Sequence, residues 1–109
     1  MKLAQDDVLR ITREFHERLA EIYGERLTAV YLYGSYARGE ANDDSDIDVA
    51  VVLTGTVKRS AEEKKIIDII AEISLREKCF LLPFFLSEDE YREKPYAIFR
   101  SIAHEGIPV

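Results

Sequence analysis

Apolar residues recur at three- and four-residue steps between Asp6 and Gly24, at Val8, Leu9, Ile11, Phe15, Leu19 and Ile22. That stripe predicts an amphipathic helix, with Asp6 as its cap and Gly24 as its stop. The pattern then changes. Residues 28–33, TAVYLY, are β-branched and aromatic and predict a strand that runs into Gly34. Residues 46–53, DIDVAVVL, predict a second strand. Beyond its two aspartates this strand is apolar on both faces, which predicts a position inside the sheet.

Gly55 marks the turn that follows. Ser60 with Glu63 has capping-box spacing and predicts the start of a helix carrying Ile66, Ile67, Ile69, Ile70 and Ile73. Residues 79–86, CFLLPFFL, are a third apolar run. Pro83 has no N–H for a ladder, so this strand is expected to be bulged or to lie at an edge. A second capping box, Ser87 with Glu90, opens a short helix. Pro95 suits the first turn of a last helix that carries Ile98, Phe99 and Ile102 and stops at Gly106. Strands alternating with helices predict an α/β sheet with helices packed on it.

The chain has 109 residues, which predicts a single domain spanning 1–109. With 47% hydrophobic and 33% charged residues, disordered, collagen-like and disulfide-scaffold classes are excluded. No apolar run has the length of a membrane span, and the N-terminal MKLAQDDVLR turns acidic by Asp6 without a signal-peptide core. Cys79 stands alone, so no internal disulfide is expected, in keeping with a cytoplasmic protein. A net charge of −6 argues against general nucleic-acid binding. Gln5 and Asn42 are the only side-chain amides in a chain rich in Glu, Lys and Arg, a bias typical of thermophile proteins.

Five of the 21 acidic residues fall between Glu40 and Asp48: Glu40, Asp43, Asp44, Asp46 and Asp48. Most charge runs are solvated loops. Here, however, Asp46 and Asp48 stand two apart at the head of a strand, so both side chains leave one face and can converge on a hard cation. Mg²⁺ takes one or two protein carboxylates and completes its shell with water and substrate phosphates. A calcium loop starting at Asp44 is excluded, because Val49 stands where the loop needs Gly and Gly55 where it needs Glu. Upstream, Gly34 and Ser35 end a strand where a helical turn is expected to begin. Such a junction exposes N–H donors and a hydroxyl to an anion, although an ordinary strand–turn–helix junction has the same residues.

Together the two elements are far more specific. The run GSYARGEANDDSDIDVAVV resembles the signature of the DNA-polymerase-β-like nucleotidyltransferase superfamily, Gly-Ser followed after about ten residues by Asp-x-Asp. Its ARG and SDID elements make it most similar to the minimal nucleotidyltransferase group, often the antitoxin partners of HEPN-domain ribonucleases. The resemblance implies a polymerase-β-like fold with a small mixed sheet. It implies that Gly34 and Ser35 hold the triphosphate, that Asp46 and Asp48 bind catalytic Mg²⁺, one ion or two, and that NMP, AMP from ATP above all, passes to an acceptor. Arg38, in the ARG element, either neutralises phosphate or pairs with the acidic loop.

The chain departs from the family pattern at a third carboxylate, which active members carry on a neighbouring strand. CFLLPFFL holds no acid, and Glu77, Glu88 and Asp89 lie only near its ends. Loss of general-base help would lower the rate by about 10²–10⁴. Among the remaining residues, His16 is expected to pack, His104 to favour the dipole of the last helix, and Cys79 to be buried. Tyr31, Tyr33 and Tyr36 bracket the Gly-Ser turn as strand residues or as a base-stacking surface.

Two functions follow from the resemblance. One is an enzyme that transfers NMP to a partner such as a HEPN toxin and thereby acts as antitoxin. The other is a degenerate nucleotide-binding antitoxin that neutralises its partner by binding. A homo- or hetero-oligomer is expected, because a small sheet needs its edge covered.

Overall fold

The structure, a computed structural model, describes residues 2–109. Helix α1 (Gln5–Tyr23) follows the predicted stripe and buries Val8, Ile11, Phe15 and Leu19. Its N-cap is Ala4 rather than Asp6. Asp6 lies inside the first turn with Asp7, where their charges favour the helix dipole without capping it. Gly24 ends the helix as expected and opens a single 3₁₀ turn, Gly24–Arg26.

Strand β1 (Leu27–Tyr33) leads into the short helix α2 (Ser35–Arg38), and strand β2 (Ile47–Leu53) follows. Helix α3 (Arg59–Glu77) starts after Lys58, so Ser60 is already helical and cannot adopt the extended backbone of a cap. The predicted box with Glu63 therefore does not form. Ile66 and Ile73 are fully buried, whereas Ile67 is exposed. Strand β3 (Leu81–Ser87) begins two residues later than the apolar run suggested. Ser87 ends it and caps α4 (Glu88–Glu93) through the expected capping box with Glu90. Helix α5 (Ala97–Glu105) starts after Tyr96, leaving Pro95 outside its first turn; Lys94 has just ended α4 in the left-handed conformation and Tyr96 is extended. A two-residue strand β4 (Ile107–Pro108), too short to leave a pattern, follows Gly106.

The sheet order is β3-β2-β1-β4. β1 runs antiparallel to β2 and β4, while β2 and β3 are parallel and joined through α3. This is a mixed α/β sheet with β2 inside it, as its apolar faces required. Pro83 lies on the edge strand, opposite Val49, in a ladder that keeps its register. Side-chain alternation divides the core. Val30 and Leu32 of β1 and Ile47, Val49, Val51 and Leu53 of β2 pack against α1 and α3. Ala50 and Val52 face Phe99 and Ile102 of α5 on the other side. Asp48 shares the parity of Ala50 and Val52, so it lies on the α5 side.

The open edge of β3 is blunted by its own residues. Phe80 O accepts from Ile47 N–H, which turns the backbone of alternate residues from Leu81 outward. Leu81 N–H then bonds Ser74 Oγ, Pro83 has no N–H, and Ser87 N–H bonds Glu90 Oε1.

Candidate active site

The ends of β1 and β2 bring the Gly-Ser and Asp-x-Asp elements together, because Tyr33 pairs with Asp48 across the antiparallel ladder. Gly34, next in the chain, has φ 79° and is buried. A Cβ there would stand 2.3 Å from Asp48 Oδ2 and 3.1 Å from its Cγ. Glycine is required twice over, by backbone conformation and by contact with the carboxylate. Ser35 begins α2 directly afterwards.

Asp46 and Asp48 are both half-buried. Burial pushes the Asp48 carboxyl above its ordinary value, and the neighbouring charge of Asp46 pushes it further; Arg38 opposes the shift and Glu105 adds to it. The residues between the two motifs form an ordered turn. Asn42 N–H bonds Ser45 Oγ, Asp44 N–H bonds Asn42 Oδ1, and Lys2 N–H bonds Asp43. Asp46 is thereby delivered to the strand on a braced loop. Asp43 and Asp44 belong to that turn rather than to the carboxylate pair.

Residues 12–104 match the nucleotidyltransferase domain family. The chain is a nucleotidyltransferase of that family. Two Methanocaldococcus jannaschii proteins, both candidate protein adenylyltransferases, are similar to it. One is 34% identical over 77 residues, covering 71% of this chain and 77% of the relative. The other is 30% identical over 95 residues, covering 86% and 89%. A solved candidate nucleotidyltransferase from Sulfolobus solfataricus superposes with TM-score 0.58 at 25% identity, covering 95% of this chain and 80% of that one. A chain of a toxin–antitoxin structure with AMP-PNP superposes at 0.56 and 18% identity, covering 97% and 72%, and shares the fold. So does a chain of a mutant MntA–HpeT toxin–antitoxin, at 0.53 and 15%, with the same coverage.

In this nucleotidyltransferase Arg38 pairs with the acidic loop, its Nε donating to Glu40 Oε2 at 3.1 Å. Its Nη1 also donates to both oxygens of Glu105, at 3.1 and 3.3 Å. Glu105 was not a candidate from the sequence. It belongs to no motif and lies in the last turn of α5, yet it reaches the Gly34 N–H at 3.2 Å. Only its place just before Gly106 could have marked it. Tyr33, one of the three tyrosines that bracket the Gly-Ser turn, does lie at the site: burial first, then the charges of Asp48 and Glu105, push its phenol up to about 12. It is a neutral aromatic wall beside the carboxylates.

The other tyrosines are committed elsewhere. Tyr36 is buried, and its hydroxyl accepts the Leu3 N–H, so it offers no ring to a base. Tyr31 stacks on Tyr91 with centroids 5.3 Å apart. His16 joins its Nδ1 to Val109 O, a packing role that ties α1 to the C-terminal residues. His104 is exposed in the last turn of α5. Cys79 is half-buried rather than buried, in the turn before β3.

No acid stands beside Asp48 on β3, where its partner in the ladder is Leu82. Glu77 is held by Arg10 and Arg76, and Glu88 and Asp89 follow the far end of the strand. Among the described residues no group of three or more His, Cys, Asp or Glu is arranged to hold a metal. A cavity of about 490 Å³ opens beside the Asp43–Ser45 turn, toward Leu3, Tyr36 and Phe80, and does not include Gly34, Asp46 or Asp48. No helix among the described residues is long and apolar enough to cross a membrane.

Proposed function

We propose that residues 1–109 form one minimal nucleotidyltransferase domain that moves AMP from ATP to a hydroxyl of a partner protein, with Mg²⁺ as cofactor. The observation that supports this reading is the close approach of Gly34 to the Asp48 carboxylate, which sets the Gly-Ser element against the Asp-x-Asp element. The sequence similarity to candidate protein adenylyltransferases supports a protein acceptor. The fold shared with the toxin–antitoxin chains supports a HEPN-type toxin as that acceptor, with this chain as its antitoxin.

Asp46 and Asp48 suit Mg²⁺, since they are two hard oxygen donors, one just before β2 and one within it, and such a cation would draw its other ligands from water and phosphate. Held by Asp46 and Asp48, such a cation would supply positive charge to offset the triphosphate and polarise the α-phosphate. The chain's own residues do the positioning. Gly34 lets its backbone approach the phosphates and donates its N–H, Ser35 adds a hydroxyl, and Arg38 offers a bidentate guanidinium. The acceptor oxygen attacks phosphorus in line, the bond to pyrophosphate breaks, and the acceptor's proton leaves to water. Tyr33 keeps bulk solvent from one side of the carboxylates.

A second reading, a degenerate antitoxin that binds without transferring, is favoured by Leu82 standing beside Asp48 where a third carboxylate belongs. The test is transfer of label from α-labelled ATP with Mg²⁺ into a lysate containing the co-expressed partner. Wild type is run beside Asp46→Asn/Asp48→Asn. A labelled protein seen only with wild type supports the enzyme. No label in either sample, with nucleotide bound and the partner present, supports the degenerate antitoxin.

A further inference from the structure

Glu105 occupies the donors that the preceding reading gives to a phosphate. Its Oε1 accepts from the Gly34 N–H at 3.2 Å and from Arg38 Nη1 at 3.1 Å, and its Oε2 accepts from the same Nη1 at 3.3 Å. A carboxylate that bridges a backbone N–H and a guanidinium makes the contacts of a phosphoryl oxygen pair, with less charge.

The position is built rather than incidental. Phe99 and Ile102 bury the inner face of α5 against β2. Gly106, directly after Glu105, leaves no room for a side chain: a Cβ would stand 2.4 Å from Ile102 O and 3.1 Å from Tyr31 Cβ. β4 then pairs with Tyr31 and Leu32 of β1, and Val109 N–H bonds Val30 O. The backbone of the helix end is held from both sides, so the Glu105 side chain is anchored beside Gly34 and can leave its donors only by rotating away from them. A role as the missing third metal ligand is not supported, since Glu105 forms no metal-holding group with the aspartates among the described residues. Both of its oxygens already accept hydrogen bonds.

The geometry points to Glu105 as a specificity-determining residue of the phosphate subsite, an internal anion that incoming phosphates must displace. This rests on the nucleotide reading above. A free polyphosphate has to break the charge-assisted bonds of Glu105 and enter among three carboxylates, Asp46, Asp48 and the displaced Glu105. A metal-complexed triphosphate brings compensating charge and further contacts to the aspartates. The subsite therefore admits metal-bound nucleotide and rejects bare anions, and between turnovers Glu105 keeps Arg38 and the Gly34 amide arranged for the next triphosphate.

The experiment is calorimetric titration of wild type, Glu105→Gln and Glu105→Asp with Mg-ATP, with metal-free ATP and with metal-free inorganic tripolyphosphate. The Gly34 amide is followed by NMR in the same samples. Gln keeps the size of the side chain and a carbonyl for the Gly34 N–H, so a purely structural role would survive it. Glu105→Gln should bind tripolyphosphate about tenfold or more tightly than wild type, with a smaller gain for Mg-ATP, so that the dependence on metal narrows. Glu105→Asp retains the charge and should stay closer to wild type. Equal or weaker tripolyphosphate binding by Glu105→Gln would overturn the proposal, as would the same gain in Glu105→Asp. So would a Gly34 amide that fails to shift when tripolyphosphate binds. Wild type that binds no Mg-ATP, beside a Glu105→Gln variant that takes tripolyphosphate at Gly34, would remove the nucleotide reading and leave the displaced carboxylate standing.

Discussion

The α-carbon of Gly34 lies against the carboxylate of Asp48, so close that a methyl group added to Gly34 would stand 2.3 Å from Asp48 Oδ2. Gly34 directly follows β1 and Asp48 lies in β2, and the Tyr33–Asp48 pairing of the ladder holds them in register. Gly34→Ala therefore pushes the carboxylate aside while straining the backbone at φ 79°. Such strain costs about 1–3 kcal/mol of stability, which chemical denaturation would read. A displaced metal-binding carboxylate should lower transfer by about 10². Alanine that leaves both quantities at wild-type values would refute the contact.

Asp46→Asn/Asp48→Asn should remove Mg²⁺-dependent ATP binding and label transfer while leaving the melting temperature unchanged or higher. Burial and the Asp46 charge both disfavour the ionised Asp48, so neutralising the pair relieves repulsion in the folded chain. Calorimetry is the check. Unaltered Mg-ATP affinity in the double variant would refute the site assignment.

Tyr23→Phe tests the opposite end of the sheet. Glu62 is buried there, and its Oε1 accepts the Tyr23 hydroxyl at 3.0 Å and lies 3.2 Å from Lys65 Nζ, with Arg26 at 3.7 Å from the other oxygen. Losing the hydroxyl leaves a buried carboxylate oxygen short of one donor, at a cost of about 1–2 kcal/mol. Urea unfolding should record that loss with ATP affinity unaltered. A stability equal to wild type would show that water takes over the bond.

Acid stability should depend on Glu77. The guanidiniums of Arg10 and Arg76 hold its carboxyl down at about 2. A depressed acid contributes stability above its unfolded value, near 4.3, and that contribution fades as pH falls toward the folded value. Unfolding midpoints of wild type should fall between about pH 4.3 and 2 more steeply than those of Glu77→Gln. Parallel pH profiles of the two proteins would show that the ion pairs on α1 and α3 are solvent-screened to no effect.

Much of this architecture was legible in periodicity. The inside position of β2 followed from its two apolar faces and the α4 cap from Ser87 with Glu90, while Pro83 left β3 either bulged or at an edge, and the sheet makes it the edge. The pairing of Gly34 with Asp48 was foreshadowed by two motifs flanking one connection. What escaped was set by tertiary contact. Ser60 has capping-box spacing, but the helix starts two residues too early for it to serve, with Lys58 at the cap position. β4 is two residues long and exists because β1 offers it an edge. Glu105 is an ordinary surface acid in the sequence, and only the packing of α5 turns it onto Gly34 and Arg38. Chemistry carried by motifs can be read along the chain, whereas a lone side chain brought in from 71 positions away cannot.

The blunted edge of β3 also bears on how the chain comes to be folded. A parallel pair closes only after the whole of α3 has been made and docked, so β2 and β3 wait with their apolar residues open to other unfolded copies. A strand that offered a full row of donors during that wait would seed intermolecular sheets. Pro83 interrupts that row from the start, before any tertiary structure exists, and the hydroxyl of Ser74 and the carboxylate of Glu90 take up two more donors once the neighbouring helices form. Aggregation during refolding should accordingly be more sensitive to Pro83→Val than the stability of the finished fold is, because the proline acts on the path and not only on its end.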